Sequence, residues 1–211
     1  YNNSASASNV ATSGTKTLYA VWSGNGYTIA YNANGGTGSM SKTSCTYGSS
    51  CTLRANSFTR SGYTFAGWAT SASGSVAYAD KATVSKLSAT NGATVTLYAK
   101  WTLVTYTISY NLNGGSVATA NPTSYNVTSA DITLNNPTKT GYTFAGWTGS
   151  NGTTAQTTVK IAKGSTGNKS YTANWTINKY YIDLNFTVDG TSHGSGGYNG
   201  RIKAGLKIGG V

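Results

Sequence analysis

Large apolar residues alternate with small or polar ones in Tyr27-Thr28-Ile29-Ala30-Tyr31, the period of a strand with one face buried. Asn34-Gly35-Gly36 then breaks the alternation, because Asn and Gly tolerate the positive φ that a tight turn needs. The same pattern returns in Tyr106, Ile108, Tyr110 and Leu112, followed by Asn113-Gly114-Gly115. Downstream of each start lies one heptapeptide, Gly62-Tyr63-Thr64-Phe65-Ala66-Gly67-Trp68 and again Gly141-Tyr142-Thr143-Phe144-Ala145-Gly146-Trp147. Seven identical residues in a row mark an internal repeat, and the repeat governs how the rest of the chain is read.

Each copy closes with a second alternating segment. Leu97, Ala99 and Trp101 are expected to face inward with Tyr98 and Lys100 outward; in the next copy Tyr171, Ala173 and Trp175 face inward, with Thr172 and Asn174 outward. A third version of this ending, Thr17-Leu18-Tyr19-Ala20-Val21-Trp22, stands near the start of the chain. Helical period is almost absent, and only Ala79 to Ser88 offers a turn or two of helix. The expected fold class is therefore mainly β, as small modules in tandem with little helix.

The repeat divides the chain. Residues 1–23 read as the tail of a truncated preceding repeat, 24–103 as the first module, 104–177 as the second, and 178–211 as the start of a different β domain. Only Thr102-Leu103-Val104-Thr105 stand between Trp101 and Tyr106, and two of these are apolar. Flexible linkers are rich in Gly and Ser, so the modules are expected end to end as an elongated, semi-rigid rod. In the tail, Tyr180, Ile182, Leu184, Phe186 and Val188 alternate, a Gly-rich stretch runs from Asp189 to Gly200, and Ile202, Ala204, Leu206 and Ile208 alternate again. That is a hairpin by pattern, marginal alone, which either begins a further domain or docks on the second module or another chain, with self-association by strand addition as one consequence.

Composition changes the picture in three ways. With 16 Tyr and 5 Trp against 38% hydrophobic residues, the cores must be small and aromatic. Phe65, Trp68, Phe144 and Trp147 are read as the cores of the two modules, with Trp22, Trp101 and Trp175 closing their repeats; a carbohydrate-stacking platform is the competing reading of these rings. Arg60 and Lys139, two residues ahead of each heptapeptide's Gly-Tyr, are read as solvated. Charged residues make up 9% of the chain, far below the roughly 25% of an average domain, and the net charge of +11 arises from a lack of acids: 15 Lys and Arg against four acidic residues, all Asp. The bases are spread singly rather than in a run, which argues against specific nucleic-acid binding and leaves a general attraction to anionic polymers.

Cys45 and Cys51 are the only cysteines, and their closeness points to a local disulfide formed in an oxidising compartment. Aligning the repeats places Cys45 opposite Tyr125 and Cys51 opposite Ile132, so the disulfide takes over the work of inward-facing neighbours on a hairpin. No metal site or cofactor is implied, since zinc needs four ligands and His193 is the single histidine. With no Glu, four scattered Asp and one His, the constellations of acid–base or nucleophilic catalysis are hard to assemble, and the chain is read as no enzyme. No run of about eighteen apolar residues is present to span a membrane as a helix.

The Asn-Gly-Gly turn, the Gly-Tyr-Thr-Phe-Ala-Gly-Trp centre and the Tyr-x-Ala-x-Trp close, twice in order over residues 27–176, resemble the Listeria and Bacteroides repeat, the family that includes the B repeat of internalin. The resemblance implies a β-grasp-like module arrayed on secreted or wall-attached bacterial surface proteins, where the repeats serve as stalk and adhesive segments with no catalytic residues to transfer. The first expectation is thus an extracellular, non-catalytic cell-surface repeat protein whose partners are host or neighbouring-cell glycans and proteins, or wall polymers. The alternative is a glycan- or polyanion-binding, lectin-like module, motivated by the net charge and by outward aromatics such as Tyr19 and Tyr98.

Overall fold

The computed structural model describes residues 21–180 throughout, residues 14, 15, 17 and 19 before them, and the backbone of 187–188 and 191–192 after them. Six strands build the first module: β1 (Gly26–Asn32), β2 (Thr43–Thr46), β3 (Cys51–Thr52), β4 (Tyr63–Ala69), β5 (Thr83–Val84) and β6 (Ala93–Leu103). Four of them form one sheet in the order β2-β1-β6-β4. Its centre is the parallel pair β1–β6, in register from Tyr27 opposite Ala93 to Asn32 opposite Tyr98, and the outer pairs are antiparallel. Parallel neighbours need a long crossover. In this module the crossover carries β2 to β5, and β3 pairs with β5 to make a short ribbon. Cys51, Leu53 and Val84 of that ribbon and its flank share one buried cluster with Ile29, Leu97 and Trp68 of the sheet, so the ribbon covers the sheet's apolar face.

The second module repeats the plan with β7 (Tyr106–Asn111), β8 (Ser124–Tyr125), β9 (Ile132–Thr133), β10 (Tyr142–Gly149), β11 (Gly152–Gln156), β12 (Lys160–Ile161) and β13 (Lys169–Ile177). The sheet order is β11-β10-β13-β7-β8, and β9 pairs with β12 as the covering ribbon. The extra edge strand, β11, returns on β10 through Ser150-Asn151. The first module has only an isolated bridge, Trp68 to Tyr78, at the matching place.

The heptapeptide works because it breaks its own period. Phe65 and Trp68 are three residues apart, so an unbroken strand would point them to opposite faces. In β4 the register against β6 slips between Phe65 and Gly67: Phe65 lies opposite Trp101, Gly67 opposite Lys100 and Trp68 opposite Ala99. Ala66 is the extra residue of a β-bulge, and it returns Trp68 to the face that Phe65 occupies. The rings then meet, 4.9 Å between centroids in the first module and 5.5 Å between Phe144 and Trp147 in the second, where the same slip occurs. Trp68 and Trp147 are both 0% exposed. Gly67 and Gly146 take φ of 141° and 128°, and a Cβ on either would lie under 3 Å from the returning segment, so no other residue fits the bulge.

Three expectations are revised. Residues 79–88 hold no helix; β-branched Thr83-Val84 pairs with the Cys51 segment and buries Val84, and burial outweighs the weak local pattern. No helix occurs among the described residues, and a short ribbon covers each sheet's apolar face. Trp22 is 90% exposed and lies in neither module's buried cluster. Trp101 and Trp175 are each received by an Asn-Gly-Gly turn and a heptapeptide Phe. In the tail, β14 (Thr187–Val188), at the end of the expected strand, pairs with β15 (Thr191–Ser192), which lies in the stretch expected as loop. The expected partner strand from Ile202 to Ile208, and His193, lie outside the described residues.

Candidate functional site

Each module gathers its turn, its closing tryptophan and one base into a single cluster. In Asn34-Gly35-Gly36 the three residues have three separate reasons. Asn34 takes φ of 47° and its Nδ2 donates to Ala99 O at 2.9 Å, tying the turn to β6. Gly35 takes φ of 88°. Gly36 is needed for space, because a Cβ there would lie 2.6 Å from the Trp101 ring. Trp101 seats on that glycine and donates its indole N–H to Ala33 O at 2.9 Å. The second module matches this: Asn113 has φ of 48° and bonds Ala173 O, Gly115 lies under Trp175, and Trp175 Nε1 donates to Leu112 O at 3.1 Å.

The bases complete the clusters and are not simply solvated. The Arg60 guanidinium lies 4.0 Å from the centre of the Tyr63 ring and against Gly35. Lys139 Nζ lies 4.2 Å from the Tyr142 ring centre and 5.9 Å from that of Trp175, and donates to Asn113 O at 2.9 Å. Both are half-buried. The bend at Gly62 and Gly141, with φ of 74° and 77°, folds each base back over its tyrosine.

Beside Lys139 opens a cleft of about 440 Å3, with Ser116, Thr138, Thr140 and the rings of Tyr142, Phe144 and Trp175 among its walls. A second cleft, of about 550 Å3, lies next to the Cys45–Cys51 disulfide and has no charged residue in its lining. Cys45 faces Tyr27 across β1 and β2, and Tyr125 faces Tyr106 across β7 and β8, so the disulfide stands where the second module has Tyr125. Tyr125 is buried and donates its hydroxyl to Gly167 O at 2.6 Å. Cys51 pairs with Val84 as Ile132 pairs with Ile161.

The sequence-derived core residues divide by module. Phe65 makes edge contacts with both Trp68 and Trp101, and Phe144 does the same with Trp147 and Trp175. Burial pushes the Tyr110 phenol up to about 12, with Tyr171 beside it as the lesser cause, so the rings around Trp147 carry no charge at neutral pH. Of the two outward tyrosines, Tyr19 is 84% exposed whereas Tyr98 is half-buried. The Lys160 ammonium and the Lys163 backbone N–H hold the Asp131 carboxyl below the usual carboxylate range, and Lys160 Nζ lies 2.6 Å from its Oδ2. Among the described residues no three His, Cys, Asp or Glu gather as a metal site would require, and no helix is long and apolar enough to cross a membrane.

A feature that periodicity did not announce is the joint. β6 ends at Leu103 and β7 begins at Tyr106, and between them Val104 N donates to Gly62 O at 2.9 Å. Val127 of the second module lies against Gly62 so closely that a Cβ there would run into its isopropyl group. The matching bond recurs at the far end, where Asn178 N donates to Gly141 O at 2.9 Å, but no atom of the described residues lies within 4 Å of a Cβ on Gly141.

Comparison with known proteins finds one family twice. The model described as the Listeria-Bacteroides repeat domain matches residues 27–100 and again 106–174, well over half of the chain. Two proteins of Evansella cellulosilytica are similar over about half of the chain. One, provisionally named a membrane protein, is 36% identical over 103 residues, which are 47% of this chain and 14% of that protein. The other, provisionally named a Gly-rich membrane protein, is 32% identical over 104 residues, 48% of this chain and 12% of that protein. The matched stretch thus spans a small part of each relative. No solved structure matches the chain significantly.

Proposed function

The chain belongs to the Listeria-Bacteroides repeat domain family, and from that membership we propose that it is a non-catalytic segment of a bacterial cell-surface protein, acting as stalk and adhesive spacer. The joint carries this reading. Two residues, Val104 and Thr105, separate the last strand of one module from the first of the next, and Gly62 receives Val127 across the boundary. A joint that short, hydrogen-bonded and packed, passes orientation from module to module, where a Gly-Ser coil would lose it. Modules linked in this way make an elongated spacer able to hold whatever it carries away from its anchor.

Two further observations support the reading. The relatives named as membrane proteins are far longer than the matched stretch, as expected where repeats of this kind are parts of large envelope-associated chains. The disulfide suits an oxidising, extracellular setting. Both acids among the described residues already have partners: Asp131 pairs with Lys160, and Asp80 Oδ1 accepts from Asn56 N at 2.9 Å. Brief protease treatment of intact cells producing the full-length protein is expected to release peptides from residues 24–177. Release only after lysis would refute surface exposure.

A further inference from the structure

The stalk reading gives the two bases at the turns no work, and the inference drawn from them goes beyond it. Lys139 is half-buried, yet no carboxylate of the described residues pairs with it; the one ion pair among them joins Lys160 to Asp131. A cation drawn partly out of water without a counter-charge is unfavourable, and the Tyr142 ring and one carbonyl offset that only in part. An ammonium has three N–H donors, and Lys139 uses one on Asn113 O. The first module keeps a cation at the same place with a different residue, Arg60 over Tyr63, so charge at this position recurs while side-chain type does not.

The surroundings say what kind of anion fits. The cleft of about 440 Å3 is within the size of small-ligand sites, about 300–1,000 Å3. Its walls combine aromatic rings (Tyr142, Phe144, Trp175), hydroxyl side chains (Ser116, Thr138, Thr140) and one cation, with no acid among them. Ring faces suit the C–H face of a pyranose, hydroxyls suit its hydroxyls, and a lone ammonium selects one acidic substituent. A phosphate chain has no apolar face for the rings, and a neutral sugar leaves the cation unpaired. The larger cleft beside the disulfide offers no charge at all.

We propose that the Lys139 cleft binds an acidic saccharide, a pyranose bearing a carboxylate, with Lys139 pairing the carboxylate and the Tyr142 ring packing on the sugar. The second module holds the accessible copy. Gly62, next to Tyr63, is covered by Val127 from across the joint, whereas Gly141, next to Tyr142, is open among the described residues.

The test titrates the whole chain at low salt with trigalacturonate, with maltotriose as the neutral control and inorganic polyphosphate as the non-sugar anion, by calorimetry and by amide chemical shifts. Trigalacturonate is expected to bind saturably, with shifts centred on residues 113–116, 138–142 and 175, and at least about tenfold more tightly than either control. Lys139→Gln is expected to weaken it about tenfold, Lys139→Arg to restore most of the affinity, and Arg60→Gln to leave it unchanged. Absence of saturation, shifts centred elsewhere, or polyphosphate binding as tightly at the same residues would each overturn the proposal. The shift map uses the unaltered protein, so it decides the matter even where Lys139→Gln fails to fold. A null result would leave the stalk reading standing, since that rests on the joint and on surface exposure.

Discussion

Trp68 and Trp147 fill the same place in their modules and differ by one hydrogen bond. Trp147 Nε1 donates to Asn136 Oδ1 at 3.0 Å, whereas the buried Trp68 Nε1 has no acceptor among the described residues. Ser57 stands where Asn136 stands, each two residues before the threonine that bridges to the opposite turn, Thr59 to Thr37 and Thr138 to Ser116. Its hydroxyl is too short to reach the indole and donates instead to Ser39 O. A buried donor left unpaired costs about 1–3 kcal/mol. Ser57→Asn is therefore expected to raise the stability of the first module by about 1 kcal/mol, after loss of the Ser39 bond, as read from its midpoint in urea. An unchanged or lower midpoint would show that the new amide does not reach Trp68. At this scale the sequence was an uneven guide. The pairing of Cys45 with Tyr125 as equivalents could be read from the repeat alone. The position of Arg60 and Lys139 could not, because in the sequence each is merely a base near a tyrosine; only the left-handed bend at Gly62 and Gly141 turns it over the ring.

Alternation made β1, β6, β7 and β13 legible, since each buries one face against a core. The heptapeptide strands were legible as apolar but not in phase, because a bulge is a local slip that leaves no mark on composition. The ribbons β3–β5 and β9–β12 are two residues per strand, too short for any period to show. The ribbon region also holds the main difference between the modules. Where the second uses Tyr125 and its bond to Gly167 O, the first relies on Cys45–Cys51. Closing so short a loop is worth about 2 kcal/mol in the chain-entropy model. Reduction is accordingly expected to lower the unfolding free energy of the first module by about that amount and to leave the second where it was. Denaturation with and without reductant, followed by amide signals assigned to each module, measures this. An equal fall in both modules would mean that they unfold as one unit.

Whether the two modules behave as one rigid body depends on the contact at their boundary, and the repeat supplies its own control. Gly62 and Gly141 are equivalent residues with nearly the same φ, 74° and 77°, and each accepts a hydrogen bond from the chain leaving its module. A side chain at either position therefore incurs a similar left-handed strain. Only at Gly62 does it also meet Val127 of the neighbouring module. Subtracting the effect of Gly141→Val from that of Gly62→Val removes the backbone strain and leaves the joint contact. In solution the unaltered chain is expected to scatter X-rays as an extended particle whose two modules tumble together in NMR relaxation. Gly62→Val is expected to force the Val127 loop away, so that the modules tumble separately and the scattering profile broadens, while Gly141→Val changes neither. Equal effects from the two substitutions would mean that Val127 does not set the joint. The rigidity of the spacer would then have to come from Val104 and Thr105 alone.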